Sequence, residues 1–485
     1  MMSDPCAAII AVLDVGKTNV RLNAITCNGT IAETLCVENG VLAGPPWRHH
    51  DLAELGVWIF SSLATLSRRH PLETVVCTGH GSGGVLVGAD PDDEDGVALP
   101  MIDYEQTLPD AIAIAYPPMA GSFRDRGSMI MHGATHQARQ LLWMETAEPE
   151  RFARARAFLC LPQYWAWRLT GVTSAEATSL GAQSHLWNVA DGHLTPIVAA
   201  RGWQRLMPDF RAAWARLGPV RAPLVRRFGL SRNLGVLTGI HDSSANFYRY
   251  QAAGLADVLL VSTGTWIVGM SAAASLDRLR EETGMTINSD VYGRPVAGAL
   301  TMGGREFAHV AGATDGQAID LPDVLRLVER GTMALPTFGA DDGFFPGSAG
   351  RGEIIGPPPE TAAERKALAT LYSALLTVEC CDALDPKGRA VLDGSYLREP
   401  IYARLVSALR DEGETFFNLD AYGVATGSAL LAEHGSDRAS ETLALERPGA
   451  LAQTTAASLR AYRGRWRKAA GAHLSSSPSL KKAQT

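Results

Sequence analysis

The stretch Ala7-Ala8-Ile9-Ile10-Ala11-Val12-Leu13-Asp14-Val15-Gly16-Lys17-Thr18-Asn19 decides the fold class. Ala7 to Leu13 is a continuous apolar run of strand length, the pattern of a strand buried on both faces. It stops at a polar turn, Asp14 to Asn19, and Val20 to Ile25 then alternates apolar and polar residues. Asn28-Gly29 is a tight-turn dipeptide that returns the chain through Ile31 to Val37. The chain therefore opens as strand, polar loop, strand, hairpin turn, strand.

Outward from this opening, helical periodicity covers Leu52 to Leu66, and Thr74 to Thr78 reads as a strand running into a loop, Gly79-His80-Gly81-Ser82-Gly83-Gly84. Asp90 to Gly96 is an acidic surface turn. Helices are expected over His136 to Trp143 and over Arg151 to Leu169. A short apolar stretch, Leu234 to Leu237, leads into Gly239-Ile240-His241-Asp242-Ser243-Ser244-Ala245 ahead of a further helix. The major boundary is expected near Arg249 to Gly254. Beyond it Val258 to Val261 forms a strand ending at Ser262-Thr263-Gly264-Thr265, and Ile267 to Met270 forms another, a faint echo of the opening. After a Gly/Pro-rich stretch, Gly343 to Gly356, Glu364 to Leu384 reads as a long apolar helix. Ala390 to Leu392 is then a strand, followed by Asp393-Gly394-Ser395 and a helix through Leu409. The expected division is 1–250, 251–466 and a disordered tail over 467–485.

A chain of 485 residues is too long for one core and suggests two domains. The net charge of −7 offers no basic stripe for nucleic acid. The apolar runs fall short of the ~20 residues of a membrane span, and the first residues do not read as a secretory signal. The cysteines lack metal-like spacing, and Cys380-Cys381 reads as a pair of core thiols, so a reducing cytoplasm is expected. His49-His50 has no metal-like companion and reads as surface. A homodimer is the expected assembly.

Three loops could handle phosphate. Gly16-Lys17-Thr18 invites comparison with a P-loop, but Ala11 stands where the earlier glycine is needed and a strand follows instead of a helix. A hairpin turn still exposes amides, Lys17, Thr18 and Asn19 to phosphate oxygens, and Asp14 could hold Mg²⁺. Ser262 to Thr265 has the same ambiguity between an ordinary turn and a phosphate clamp. Asp242 could cap the helix after it or act as a base beside a substrate cleft.

In this order the motifs resemble the FGGY carbohydrate kinases, within the actin/hexokinase/heat-shock ATPase superfamily. The resemblance covers about Ala8 to Gly435. Asp14 to Asn19 is similar to the first phosphate loop, Gly239 to Ala245 to the segment of the catalytic aspartate, and Ser262 to Trp266 to the second phosphate loop. Arg168-Leu169-Thr170-Gly171 with Ala175-Glu176-Ala177-Thr178, Gly303-Gly304, Phe345-Pro346-Gly347 and Tyr422 to Ala432 are supporting matches. Leu392-Asp393-Gly394-Ser395-Tyr396 departs from the successive glycines of the family's adenosine loop. This departure, Lys17 and Thr78-Gly79-His80-Gly81 lean towards fuculokinase-like members.

What the resemblance implies is an α/β chain of two ribonuclease H-like domains with an interdomain cleft, using ATP and Mg²⁺ to phosphorylate a small sugar. Asp242 is expected as general base and Asp14 as the residue organising Mg²⁺. Gly16, Lys17, Thr18, Asn19, Thr263, Gly264 and Thr265 would hold the phosphates, with Gly394 and Ser395 at the nucleoside. His80, Asp103, Tyr104 and Gln163, with Asp242, are expected at the sugar. Tyr164 to Trp167 could line the sugar pocket or belong to the core. The acceptor is expected to be a ketose. The alternatives are another small polyol or carbonyl compound, such as glycerol, a tetrulose or a signalling molecule, or a nucleotide-dependent sugar sensor without catalysis.

Overall fold

The computed structural model describes residues 9–26, 29–314, 316–420, 422–436 and 443–475. The turn dipeptide Asn28-Gly29 lies partly outside the described residues. Two compact units emerge. The first is Met1–Leu255 with Ile287–Pro295 and Tyr422–Thr442; the second is Ala256–Thr286, Val296–Ala421 and Leu443–Thr485. The main change of unit falls one residue beyond the stretch Arg249 to Gly254, but the chain also returns twice to the first unit, which a single cut did not foresee.

The first unit is built on a mixed sheet. Strand β1 (Ile9–Val15) pairs antiparallel with β2 (Asn19–Thr26), which pairs antiparallel with β3 (Ile31–Glu38). Helix α1 (Leu52–Arg69) follows, its N-terminus capped by Asp51, which accepts the Glu54 N–H at 2.9 Å. Its apolar stripe, Leu52, Leu55, Ile59, Phe60, Leu63 and Leu66, is buried in the core. The chain then enters β4 (Leu72–Gly79), parallel to β1. The sheet is completed after helix α2 (Leu161–Thr170) by β5 (Arg216–Pro219) and β6 (Gly235–Leu237), in the order β5-β6-β4-β1-β2-β3. A two-residue strand, β7 (Ile240–His241), pairs with the end of β4 and opens into helix α3 (Asp242–Ala252).

The single helix expected over Arg151 to Leu169 is instead a short helix, Pro149–Arg154, a strand, Ala157–Cys160, and α2. The strand pairs antiparallel with Gly84–Val87, so a distant partner overrides local periodicity, and Pro162 suits the first turn of the new helix. Tyr164, Trp165, Ala166 and Trp167 are all core residues. His50, expected at the surface, is only 3% exposed, because His50 N–H bonds to Met101 O at 3.2 Å and seats the segment inside.

The second unit repeats the plan. Strand β8 (Leu259–Thr263) pairs antiparallel with β9 (Ile267–Ser271), and β9 with β10 (Pro295–Thr301). After helix α4 (Ala362–Leu384), strand β11 (Ala390–Gly394) lies parallel to β8. Helix α5 (Pro400–Leu409) then leads to β12 (Thr415–Phe417), parallel to β11. By strand direction and neighbour, β8, β9, β10 and β11 stand where β1, β2, β3 and β4 stand in the first unit. The echo in sequence is thus a duplicated topology.

Helix α4 is long and apolar enough, by length and composition, to cross a membrane, although the apolar runs in the sequence fall short of a span; 83% of its most apolar window is buried inside the protein. Helix α6 (Gly423–Ala429) belongs to the first unit and packs on α3. A Cβ on Gly427 would stand 2.0 Å from Ala245 O, so only glycine lets the helices approach this closely. The tail expected from residue 467 is corrected in part, since helix α7 (Gln453–Ser475) continues through it. Trp466 Nε1–H bonds to Ala334 O at 2.7 Å and Arg467 pairs with Glu379 at 2.6 Å, anchoring that helix. Residues 476–485 lie outside the described residues.

Candidate active site

The parallel strands of the first unit end together, and their ends carry the chemistry. Asp14 lies opposite Thr78 and Val15 opposite Gly79; on the other side of β4, Ile240 lies opposite Thr78 and His241 opposite Gly79. One sheet edge therefore presents Asp14, His80 and Asp242 side by side. In α/β sheets this carboxyl edge is where ligands bind.

Asp242 is the first residue of α3, whose N-cap is His241 with no side-chain capping bond. The capping role is therefore not the one it plays. Its Oδ1 accepts from the Ser243 N–H and from Ser243 Oγ at 3.1 Å, and His241 Nε2 stands 3.1 Å from it. Its Oδ2 has no partner among the described residues. Burial pushes the His241 imidazole below its usual range, against the pull of Asp242, so the ring is neutral at pH 7. Its Nδ1 stands 3.1 Å from Ser244 Oγ, whose own hydrogen goes to Ser289 O at 3.3 Å. The His241 N–H bonds to Thr178 Oγ1 at 3.1 Å, and that hydroxyl donates to Glu176 Oε2 at 2.6 Å. Glu176 and Thr178, quoted above only as motif matches, thus hold the aspartate's segment in place.

Gln163 is fully buried in α2. Its Nε2 donates to Thr238 O at 3.2 Å and Gly239 O at 3.4 Å. It braces the turn before Asp242 from within the core and is not an exposed sugar ligand.

Lys17 and Asp103 are brought together. Lys17 Nζ lies 2.8 Å from Asp103 Oδ1, Arg48 Nε lies 2.6 Å from Asp103 Oδ2, and the ammonium stands 5.8 Å from the Tyr104 ring centre. Burial raises the Asp103 carboxyl, but the hydrogen bond and charge of Lys17, the Glu105 N–H and Arg48 outweigh it and keep the pKa below its usual value. His80 lies tilted against Tyr104, 5.4 Å between ring centres, and against His50 at 6.5 Å. Burial lowers both imidazoles, with nearby cationic and imidazole charge adding to it, to about 3 for His80 and about 4 for His50. Of the rest of this loop, Gly16 closes the turn by donating its N–H to Asn19 O at 3.0 Å, while Thr18 and Asn19 are exposed.

The turn of the second unit is built from hydroxyls and glycine. Gly264 N–H bonds to Trp266 O at 2.9 Å, and Gly304 N–H bonds to Thr265 O at 3.0 Å. Thr263 Oγ1 is used internally, donating to Asp393 O at 2.8 Å. Gly394 has φ +97°, and a Cβ there would lie 2.1 Å from Thr263 O, so the departed glycine loop keeps the one glycine its backbone requires. Gly264, Thr265 and Ser395 line a cavity of about 560 Å³ together with Gly304, Phe307, Lys366, Tyr396 and Glu399. Phe307 and Tyr396 stand 5.9 Å apart, and Lys366 pairs with Glu399 at 3.0 Å. An aromatic slot opening on a glycine turn suits a nucleotide.

Asp14 is raised to about 7, by burial first and by the charge of Asp242 second, against Arg21. Two carboxylates that repel each other in this way fit a divalent cation. Among the described residues no group of three His, Cys, Asp or Glu forms a complete metal cage. Mg²⁺ needs none, since one or two carboxylates suffice when phosphates and water supply the rest.

Residues 9–247 match the N-terminal domain of the FGGY family of carbohydrate kinases, and residues 256–440 match the carbohydrate kinase FGGY C-terminal domain. L-fuculokinase of Escherichia coli (strain K12) is 24% identical over 293 residues, which span 58% of this chain and 61% of that protein's length. The crystal structure of a carbohydrate kinase from Novosphingobium aromaticivorans superposes with a TM-score of 0.83 at 31% identity, covering 96% of this chain and 99% of the other. Xylulose kinase from Lactobacillus acidophilus shares the fold at 13% identity, with a TM-score of 0.80 over 98% of this chain and 99% of its own. The two domain matches and the duplicated sheets carry one conclusion: the chain belongs to the FGGY family of carbohydrate kinases.

Proposed function

We propose that the protein transfers the γ-phosphoryl group of ATP to a hydroxyl of a small ketose, in the cytoplasm, with Asp242 as the general base. The observation that carries this reading is the asymmetry of the Asp242 carboxylate. Oδ1 is fixed by the N–H and hydroxyl of Ser243, while Oδ2 has no partner among the described residues and is free to accept a proton. The family supports ATP as donor; the names fuculokinase and xylulose kinase among its relatives support a ketose acceptor. Free, mostly buried thiols at the described cysteines agree with a reducing compartment.

In this mechanism the acceptor lies at the carboxyl edge of the first sheet, held by His80, Asp103 and Tyr104. As the acceptor oxygen attacks the γ-phosphorus, the bond to the β-phosphate oxygen breaks and ADP leaves, the acceptor's proton passes to Asp242 Oδ2, and Ser243 keeps the carboxylate oriented. Phosphoryl transfer asks little else of the protein than position and charge neutralisation. Asp14 is the residue that would hold Mg²⁺, which neutralises phosphate charge when bound. Gly264, Thr265 and Gly304 would cradle phosphate oxygens, and the slot of Phe307 and Tyr396 with Ser395 would hold the nucleoside.

A coupled ADP-release assay with Mg²⁺-ATP over ketopentoses, 6-deoxyketohexoses, tetruloses, glycerol and aldoses tests the reading. A ketose turned over in preference to every aldose and polyol is the expected result. Preference for glycerol or an aldose would overturn the acceptor class, and silence with ATP bound would favour the sensor.

A further inference from the structure

The first hairpin turn resembles a phosphate loop, yet its one cation is engaged elsewhere. Lys17 Nζ is 2.8 Å from Asp103, a carboxylate only 1% exposed, and Asp103 is gripped from its other oxygen by Arg48. The Asp103 N–H bonds in turn to Arg48 O at 2.9 Å. The same short pairing, in which His49 bridges Ile102, brings His50 to this wall.

The hydrogen-bond chain fixes what His50 offers. Asn39 Nδ2 donates to Gly16 O at 2.8 Å, so Asn39 Oδ1 faces His50 Nδ1, 3.3 Å away, as an acceptor. Nδ1 therefore carries the hydrogen, and Nε2 presents a lone pair. That Nε2 is buried without a partner, as are both ring nitrogens of His80. Orphaned buried polar atoms are costly unless something satisfies them. Three of them on one wall, beside an ammonium with hydrogens to spare, describe a place for a polyhydroxylated ligand.

We propose that Lys17 and His50 are specificity-determining residues of the acceptor site. Lys17, held by Asp103, donates to an electron-rich oxygen of the acceptor, such as a ketose carbonyl. His50 Nε2 accepts from a neighbouring hydroxyl, and His80 supplies one donor and one acceptor. This deepens the proposed function, on which the choice of acceptor rests, and takes Lys17 away from the triphosphate.

Lys17→Met, Lys17→Arg and His50→Asn test it, with calorimetric titration of Mg²⁺-ADP and steady-state kinetics on the fastest acceptor of the panel. Lys17→Met and His50→Asn should raise the acceptor KM by about tenfold or more, the cost of ~1.4 kcal/mol of lost hydrogen bonding. Mg²⁺-ADP affinity should stay within about twofold, and Lys17→Arg, which keeps the charge on Asp103, should fall between. Weakening of Mg²⁺-ADP by about tenfold in Lys17→Met would return the lysine to the phosphates; an unchanged acceptor KM would equally overturn the proposal. If Lys17→Met does not fold, Lys17→Arg and His50→Asn carry the same readings. A panel silent for every ketose sinks the ketose reading, whereas the Mg²⁺-ADP titration still decides where Lys17 acts.

Discussion

Asp14-Val15-Gly16-Lys17-Thr18-Asn19 and Ser262-Thr263-Gly264-Thr265-Trp266 occupy equivalent turns, each between a strand with a parallel neighbour and its antiparallel partner. Their chemistry differs. The first turn is charged: Asp14 shares its field with Asp242, and Lys17 is committed to Asp103. The second has no charged residue, ties Thr263 into the adjacent strand, and opens on a cavity with an aromatic slot. A duplicated topology fixes where a loop stands; the side chains placed on it decide its chemistry, charged and paired in the first unit, hydroxyl-lined beside a cavity in the second.

Substitutions on one side should leave the other side's readout alone. The largest effect belongs to Asp242→Asn, which should lower kcat by ~10²–10⁴-fold, the usual size of a lost general base, with melting temperature and acceptor KM near wild type. Rapid-mixing and steady-state rates check this. Next, His241→Phe removes the imidazole that stands 3.1 Å from Asp242 Oδ1 and beside Ser244 Oγ; kcat should fall, by less than in Asp242→Asn, with Mg²⁺-ADP affinity unchanged.

On the second side, Gly394→Ala forces a Cβ onto Thr263 O at a φ of +97°. It should weaken Mg²⁺-ADP by about tenfold through distortion of the turn, a loss of ~1.4 kcal/mol, read by calorimetry. Gly427→Ala sharpens the comparison from the first side. Crowding α3 through Ala245 should cost about 1–3 kcal/mol of stability, seen as a lower urea midpoint, and should lower kcat through Asp242 without touching nucleotide affinity.

The smallest effect concerns pH. Burial holds His136 at about 3, while an unfolded histidine titrates near ~6.5. Between those values the unfolded chain binds the additional proton, so this group's contribution to stability is complete above ~6.5 and is lost as pH falls towards 3. Urea midpoints should drop between pH 7 and pH 5 from this source; a midpoint that rises over that range would contradict it.

Much of this was legible in the sequence because it rests on local patterns. The uninterrupted run before Asp14, the hairpin after it and its echo at Val258 are strand signals that need no distant partner. Asp242 was readable as a base or a cap because it stands at a loop-to-helix junction, and the helix starting at it with His241 as N-cap sets the cap aside. What stayed hidden depends on pairings far along the chain. His50 reads as polar surface until Met101 and Ile102 cover it. The pairing of Lys17 with Asp103 is not visible in the sequence, because 86 residues separate them. Ala157–Cys160 reads as helix until Gly84–Val87 claims it as a strand, and Gln163 reads as a ligand until its amide is seen holding Thr238 and Gly239.

The most direct test of this division of labour is one calorimetric comparison, Mg²⁺-ADP titrated into wild type, Asp242→Asn and Gly394→Ala. The account predicts that Asp242→Asn binds within about twofold of wild type while Gly394→Ala binds about tenfold more weakly, a gap of ~1.4 kcal/mol. Equal losses in both variants, or a loss confined to Asp242→Asn, would contradict it.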